Sequence, residues 1–351
     1  WDSLAEDKAL AAAHPGGIVD LSVGTPVDPV PGVVRGALAG PAADVPGYPT
    51  THGPESLRTA VAGSLRRRFG VAVDPVAVLP TIGSKELVAW LPTLLGLGTD
   101  DTVVIPELAY PTYEVGARLA GAQHVRADST TALGPRRVAL VWLNSPSNPT
   151  GRVLPAEHLR KVVDWARERG AVVASDECYL SLSEGAPSVL HPDVCGGSHD
   201  GLLAVHSMSK SSSLAGYRAG FVTGDPRLVA SLLEVRKHAG MIVPRPVQAA
   251  MEAAAADDAH VTAQAQVYAR RRARLRAALE AAGYRIEHSE AGLYLWATAG
   301  EPGRATVRRL AEAGILVAPG DFYGPAGERH VRVALTATDE RIDDAVERLK
   351  P

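Results

Sequence analysis

Between residues 100 and 225 the chain carries short, near-continuous apolar runs separated by longer stretches with helical spacing. The runs fall at 103–105, 138–143, 171–175, 202–205 and 219–223. Apolar runs of this kind, with little polar alternation, suit strands covered on both faces. Between Pro155 and Gly170, residues Leu159, Val162, Val163 and Ala166 share one side of a helical pattern. Pro near the start and Gly just past the end match helix boundaries. Residues 55–69 read the same way and also end at a glycine. Residues 84–95 predict a third helix, which Pro92 should bend or shorten. Strand–helix alternation predicts an α/β domain with a mostly parallel sheet. Its ligands should collect beyond the carboxyl ends of the strands.

After about residue 226 the texture changes. Long Ala-rich helical patterns run to about residue 280, and strand candidates return at 284–286, 292–296, 315–317 and 331–335. A closing helix should follow Thr338. This predicts a smaller α+β domain over 241–351, a large domain over 36–240, and an N-terminal segment, 1–35, that packs with the small domain.

The whole chain has 351 residues and formal net charge −3, with 21% charged residues. That balance argues against a nucleic-acid surface. Arg66 to Arg68 and Arg270 to Arg272 fall in helical patterns and read as solvated helix faces. No apolar run reaches the roughly 18–20 residues that a membrane crossing needs. No signal peptide is visible, and a start at Trp1 leads one to expect a short preceding piece. Two cysteines, Cys178 and Cys195, give no disulfide framework, so a reduced, cytoplasmic setting is expected. His14, His52, His191, His206 and His330 have no metal-ligand spacing. Trp142 and Trp296 read as core aromatics.

Chemistry concentrates at three strand ends. Lys210 lies among Ser207, Ser209 and Ser211, with Arg218 eight residues on. An amine beside hydroxyls and a guanidinium suits Schiff-base capture of an aldehyde next to a phosphate grip. Asp176 directly follows the run at 171–175, with Tyr179 three residues later. Asn148 follows the run at 138–143. Singly, each has an ordinary explanation: a solvated lysine, a capping aspartate, an Asn-Pro turn. Three polar stations at neighbouring strand ends are harder to dismiss.

Together with Tyr48 in Gly-Tyr-Pro, Gly83-Ser84-Lys85, Tyr110 in Ala-Tyr-Pro and Arg332 in Val-Arg-Val, these pieces resemble the class I/II aminotransferases. That family comprises pyridoxal-phosphate enzymes of fold type I. The resemblance implies an aspartate-aminotransferase-like α/β fold, with a large domain built on a mostly parallel central sheet and a smaller α+β domain. It implies that Lys210 binds the aldehyde of pyridoxal 5'-phosphate and shuttles the substrate proton. Asp176 would pair with the pyridine nitrogen, Asn148 and Tyr179 with the ring oxygen, and Tyr110 with the ring face. Backbone N–H groups of Gly83, Ser84 and Lys85, with Ser207, Ser209 and Arg218, would hold the phosphate. Tyr48 would reach the phosphate of the neighbouring subunit, making a homodimer with composite sites. Gly24, Asn148 and Arg332 would receive the substrate carboxylate, and Phe322 would be at most a wall residue.

Finer pieces around residues 20–29, 210–218, 236–241 and 318–323 resemble the actinobacterial succinyldiaminopimelate aminotransferases. That implies glutamate as donor and N-succinyl-2-amino-6-oxopimelate as semialdehyde acceptor, in lysine and diaminopimelate biosynthesis. Such a substrate calls for cations beyond Arg332, with Arg236, Lys237 and Arg245 as candidates. The alternatives are another amino-acid aminotransferase (aspartate or aromatic) with an oxo-acid acceptor, a carbon–sulfur lyase of the same fold, and a non-catalytic ligand-binding protein.

Overall fold

The computed structural model describes residues 2–134 and 136–350. Helix α1 (Ala5–Ala12) leads into β1 (Val19–Asp20), and α2 (Gly32–Leu38) and α3 (Glu55–Phe69) follow. The large domain then runs β2 (Val78–Ile82), α4 (Gly83–Leu94), β3 (Thr102–Ile105), α5 (Thr112–Leu119), β4 (Gln123–Arg126) and β5 (Val138–Asn144). It continues with α6 (Ala156–Arg169), β6 (Val172–Asp176), α7 (Pro192–Cys195), β7 (Leu202–Ser207), β8 (Ala219–Gly224) and α8 (Pro226–His238). Helices α9 (Arg245–Ala256) and α10 (Asp258–Ala281) lead to β9 (Arg285–Glu287), β10 (Tyr294–Thr298) and α11 (Gly303–Glu312). Strands β11 (Ile315–Leu316), β12 (Ala318–Pro319) and β13 (Val331–Ala334) precede α12 (Asp339–Arg348).

Seven strands form the central sheet in the order β2-β8-β7-β6-β5-β3-β4. All are parallel except β8, which runs against both β2 and β7. Each of the five apolar runs became a strand. Alternate residues of β5 feed opposite cores: Val141 and Leu143 join the cluster with α3, α6 and α9, while Leu140 and Trp142 join that with α4 and α5. This two-sided burial is why the runs lack polar alternation. Gly170 closes α6 with φ 66°, a left-handed turn that glycine adopts without a steric penalty.

Helix α4 does not shorten at Pro92; it runs on to Leu94. Proline leaves the Val88 carbonyl without its helical N–H. Gly116 of α5 packs at that spot, where a Cβ would lie 2.9 Å from the Val88 oxygen.

The small domain surrounds the sheet β12-β13-β10-β9, with α10, α11 and α12 supplying its core. Strand β1 pairs in parallel with β11, and α1 packs on α11, so residues 5–20 pack with this unit, whereas Val34 of α2 belongs to the large core. Helix α9 packs on α2 and α3 and contributes Val247, Ala250 and Met251 to the large core. We therefore propose a division at Asp257, rather than before residue 241. The two arginine runs are solvated only in part: Arg66, Arg67 and Arg270 are exposed, whereas Arg68 and Arg272 are half-buried and Arg271 is buried. Arg67 and Arg68 both grip Asp258, and the buried Arg271 holds Asp28 at 2.7 Å and Asp339 at 2.7 Å. No described helix is long and apolar enough to cross a membrane.

Candidate active site

Parallel pairing brings strand ends together. Asn144 at the end of β5 is in register with Asp176 at the end of β6, and Asp176 with Val205 near the end of β7. Beyond them opens a cavity of about 300 Å³ between the sheet and the small domain. Lys210, Asp176, Asn148, Tyr110, Arg218 and Arg332 all line it. So do Gly24, Ser84, Lys85, Tyr179, Ser207 and Ser209. Residues expected from distant parts of the chain thus converge on one chamber.

Asp176 is buried, and burial raises its carboxyl above the ordinary carboxylate range. Opposing that rise are the Cys178 thiol, the Tyr113 hydroxyl at 2.7 Å from Oδ2 and the Cys178 N–H at 3.2 Å from Oδ1. No salt bridge reaches Asp176 among the described residues. A buried carboxylate without a cation, facing a cavity, fits a protonated ring nitrogen.

Lys210 is half-buried. Desolvation lowers its ammonium to about 8, and the charges of Arg218 and Arg332 push the same way. The neutral amine, the form that attacks an aldehyde, is thereby reached at mildly alkaline pH instead of only near 10.5.

Gly83 opens α4 with φ 72°, and a Cβ there would lie 2.9 Å from Arg218 Cζ. The guanidinium therefore sits directly on the free N–H end of α4. Helix starts and guanidinium groups each favour oxyanions. The Ser209 N–H donates to Ser207 Oγ at 3.1 Å, which packs the serine turn beside this end. The donor set fits a phosphate.

Asn148 lies between two cis peptide bonds, Ser145–Pro146 before it and Asn148–Pro149 just after it. The Asn144 side chain accepts the Asn148 N–H at 2.7 Å and donates to the Asp176 carbonyl at 2.9 Å. Arg332 donates to Asn148 Oδ1 at 2.8 Å and to the Ser22 carbonyl at 2.6 Å. It is only 3% exposed and lies on the inner strand β13, flanked by β12 and β10. A rim arginine on an edge strand is thereby ruled out.

Tyr48 is 94% exposed and lies outside this chain's own cavity. Phe322 does not line the cavity; the Arg304 guanidinium lies 5.0 Å from its ring centroid. Arg236 is also elsewhere, fully buried in a two-point pair with Glu86 at 2.8 and 3.0 Å. Lys237 pairs with Glu234, and Arg245 donates to the Tyr48 carbonyl. None of the three lines the cavity.

The sequence reading missed Tyr113 and Tyr294, both of which line the chamber. Tyr113 is one helical turn past Tyr110, a spacing that could have signalled a shared face. Tyr294 precedes Leu295 and Trp296 and reads as one more core strand residue.

The chain belongs to the family Aminotransferase class I and II, whose model matches residues 17–349. It is a pyridoxal-phosphate-dependent aminotransferase with the aspartate-aminotransferase-like fold type I. It is 66% identical to a probable aminotransferase of Mycobacterium tuberculosis, Rv1178, over 99% of this chain and 84% of that protein. It is 61% identical to the 4-dedimethylamino-4-oxo-anhydrotetracycline transaminase OxyQ of Streptomyces rimosus, over 99% and 98% of the two chains. A probable N-succinyldiaminopimelate aminotransferase from Thermus thermophilus superposes with TM-score 0.88 at 30% identity, covering 99% of this chain and 98% of that one. Members of this fold typically work as homodimers with composite sites.

Proposed function

We propose that this aminotransferase moves an amino group from glutamate to an acceptor bearing more than one carboxylate, with N-succinyl-2-amino-6-oxopimelate the best fit. One observation carries the substrate class. Four cationic side chains line the cavity: Lys85, Lys210, Arg218 and Arg332. Lys210 is the covalent amine, Arg218 sits at the phosphate cradle, and Arg332 suits an α-carboxylate. Lys85 is left over. It has no ion pair among the described residues, and its Nζ lies 5.8 Å from the Tyr110 ring centroid. An exposed ammonium that lines the chamber, with no ion pair among the described residues, supports a second anionic group on the substrate.

Pyridoxal phosphate, when bound, supplies the aldehyde and the electron-accepting ring. Everything else is the work of this chain. Lys210 would be the amine that holds the aldehyde and, once freed, the base placed to move the proton at the substrate Cα. Asp176, itself held by Tyr113 and the Cys178 N–H, would keep the ring nitrogen protonated. Asn148 and Tyr179 would hydrogen-bond the ring oxygen, and Tyr110 would cover the ring face. The backbone of Gly83, Ser84 and Lys85, with Ser207, Ser209 and Arg218, grips the phosphate. Tyr48 of the partner subunit completes that grip in a homodimer, a role its exposure supports. Arg332 takes the carboxylate in a planar two-point contact. Gly24 lets the backbone come close.

A second acceptor class follows from the 61% identity to OxyQ, whose named substrate carries a ring ketone. A coupled assay tests both. Purified protein with glutamate is offered succinylated oxopimelate, oxaloacetate, phenylpyruvate and a polycyclic ketone, and 2-oxoglutarate is measured. A kcat/KM for the succinylated compound at least about tenfold above the others supports the proposal, a margin of 1.4 kcal/mol. A preference for the ring ketone or a simple oxo acid replaces it. Pyruvate and ammonia without any acceptor would mark a lyase.

A further inference from the structure

We propose that Tyr294 is a positioning residue that couples the carboxylate-binding Arg332 to the hydroxyl of Tyr179. This rests on reading the cavity as the amino-transfer site.

Tyr294 opens β10 in the small domain, and Tyr179 follows β6 in the large one. Their hydroxyls are 3.2 Å apart, and their rings meet edge to face at 5.6 Å. The Tyr294 ring face lies 4.1 Å from Arg332 Cζ, while Tyr323 lies at 5.0 Å. At Gly24 a Cβ would come within 3.0 Å of Tyr294 Cζ, so the backbone there rests on the phenol. One buried side chain thus touches the carboxylate arginine, the close-approach glycine and the tyrosine that faces the cofactor ring. It does so across the domain seam.

The two ends of the phenol do different jobs. The ring face fixes the plane of the Arg332 guanidinium, whose Nε has no hydrogen-bond partner. The two hydroxyls share one hydrogen bond in which either oxygen can donate; with Tyr294 as the donor, the Tyr179 proton is free to point into the cavity. Donation into a phenol oxygen strengthens the donation that phenol makes onward. A carboxylate that shifts Arg332 therefore shifts the strength of the Tyr179 contact.

Two variants separate the two jobs. Tyr294→Phe keeps the face and removes the hydroxyl; Tyr294→Leu removes both. In protein loaded with pyridoxal phosphate, Tyr294→Phe should raise the pH at which the chromophore titrates by about 0.5–1 unit, the span of one net hydrogen bond. Combining it with Tyr179→Phe should add nothing further. In cofactor-free protein, calorimetry with succinate as probe should show affinity about tenfold weaker in Tyr294→Leu and unchanged in Tyr294→Phe. A chromophore midpoint that does not move overturns the hydroxyl half. Unchanged succinate affinity in Tyr294→Leu overturns the arginine half. If no chromophore forms at all, the reading of the site fails instead, and the succinate measurement still decides the role at Arg332.

Discussion

The Tyr113 hydroxyl donates to Asp176 Oδ2 at 2.7 Å in a buried pair. Tyr113 in turn packs on Trp142, with ring centroids 5.0 Å apart. Burial and the neighbouring carboxylate push the Tyr113 phenol well above its ordinary value, so it stays protonated and keeps donating. Removing that donor leaves the buried carboxylate with one fewer partner. Tyr113→Phe should lower kcat by about tenfold or more with glutamate, from the roughly 1.5–3 kcal/mol of a charge-assisted bond. Steady-state kinetics at pH 8 checks this, and wild-type kcat would remove Tyr113 from the account.

Lys210 should show its environment in the pH dependence. Its folded value of about 8 lies below the ordinary 10.5 of an exposed lysine. The rate of pyridoxal phosphate capture should therefore climb as pH rises to about 8 and level off above it. Stability follows by linkage. Between 8 and 10.5 the unfolded chain holds this proton and the folded chain has lost it, so the cofactor-free protein gains stability across that window. Lys210→Met should flatten this gain in urea melts at pH 8 and pH 10.

Gly83→Ala tests the phosphate cradle. The position has φ 72°, and a methyl group would crowd the Arg218 guanidinium. Cofactor affinity should fall by roughly tenfold or more and stability by about 1 kcal/mol, the scale of a left-handed alanine. Equilibrium dialysis and thermal melts measure the two effects.

Arg236→Ala should behave in the opposite way. Its guanidinium is fully buried against Glu86 and does not line the cavity. Stripping one partner of a buried pair costs about 3–5 kcal/mol. Chemical denaturation should show that loss while KM for both substrates stays near wild type at low temperature.

Much of the architecture was legible because it rests on local pattern. The buried strands announce themselves as apolar runs, and Asn148, Asp176 and Lys210 follow strand ends that the sheet must align. Strands β2 and β4 were not legible. Both lie at sheet edges. Strand β2 carries Pro80, which only an edge position tolerates well, and β4 reads Gln123-His124-Val125-Arg126, half-exposed and polar. The reversed direction of β8 depends on which neighbours it finds, not on its own residues. Tyr113 and Tyr294 escaped for a related reason. Their roles lie in contacts with residues far along the chain: Asp176 is 63 positions from Tyr113, and Tyr179 is 115 from Tyr294. Arg236 misled because a helix-end arginine looks the same in sequence whether it faces substrate or, as here, Glu86.

The most direct test is chemical. The protein is loaded with pyridoxal phosphate, reduced with borohydride to fix the carbon–nitrogen linkage, digested, and mapped by mass spectrometry. The account predicts the pyridoxyl label on Lys210, with loss of the label in Lys210→Ala. A label on Lys85 or another lysine, with Lys210 unmodified, would contradict it.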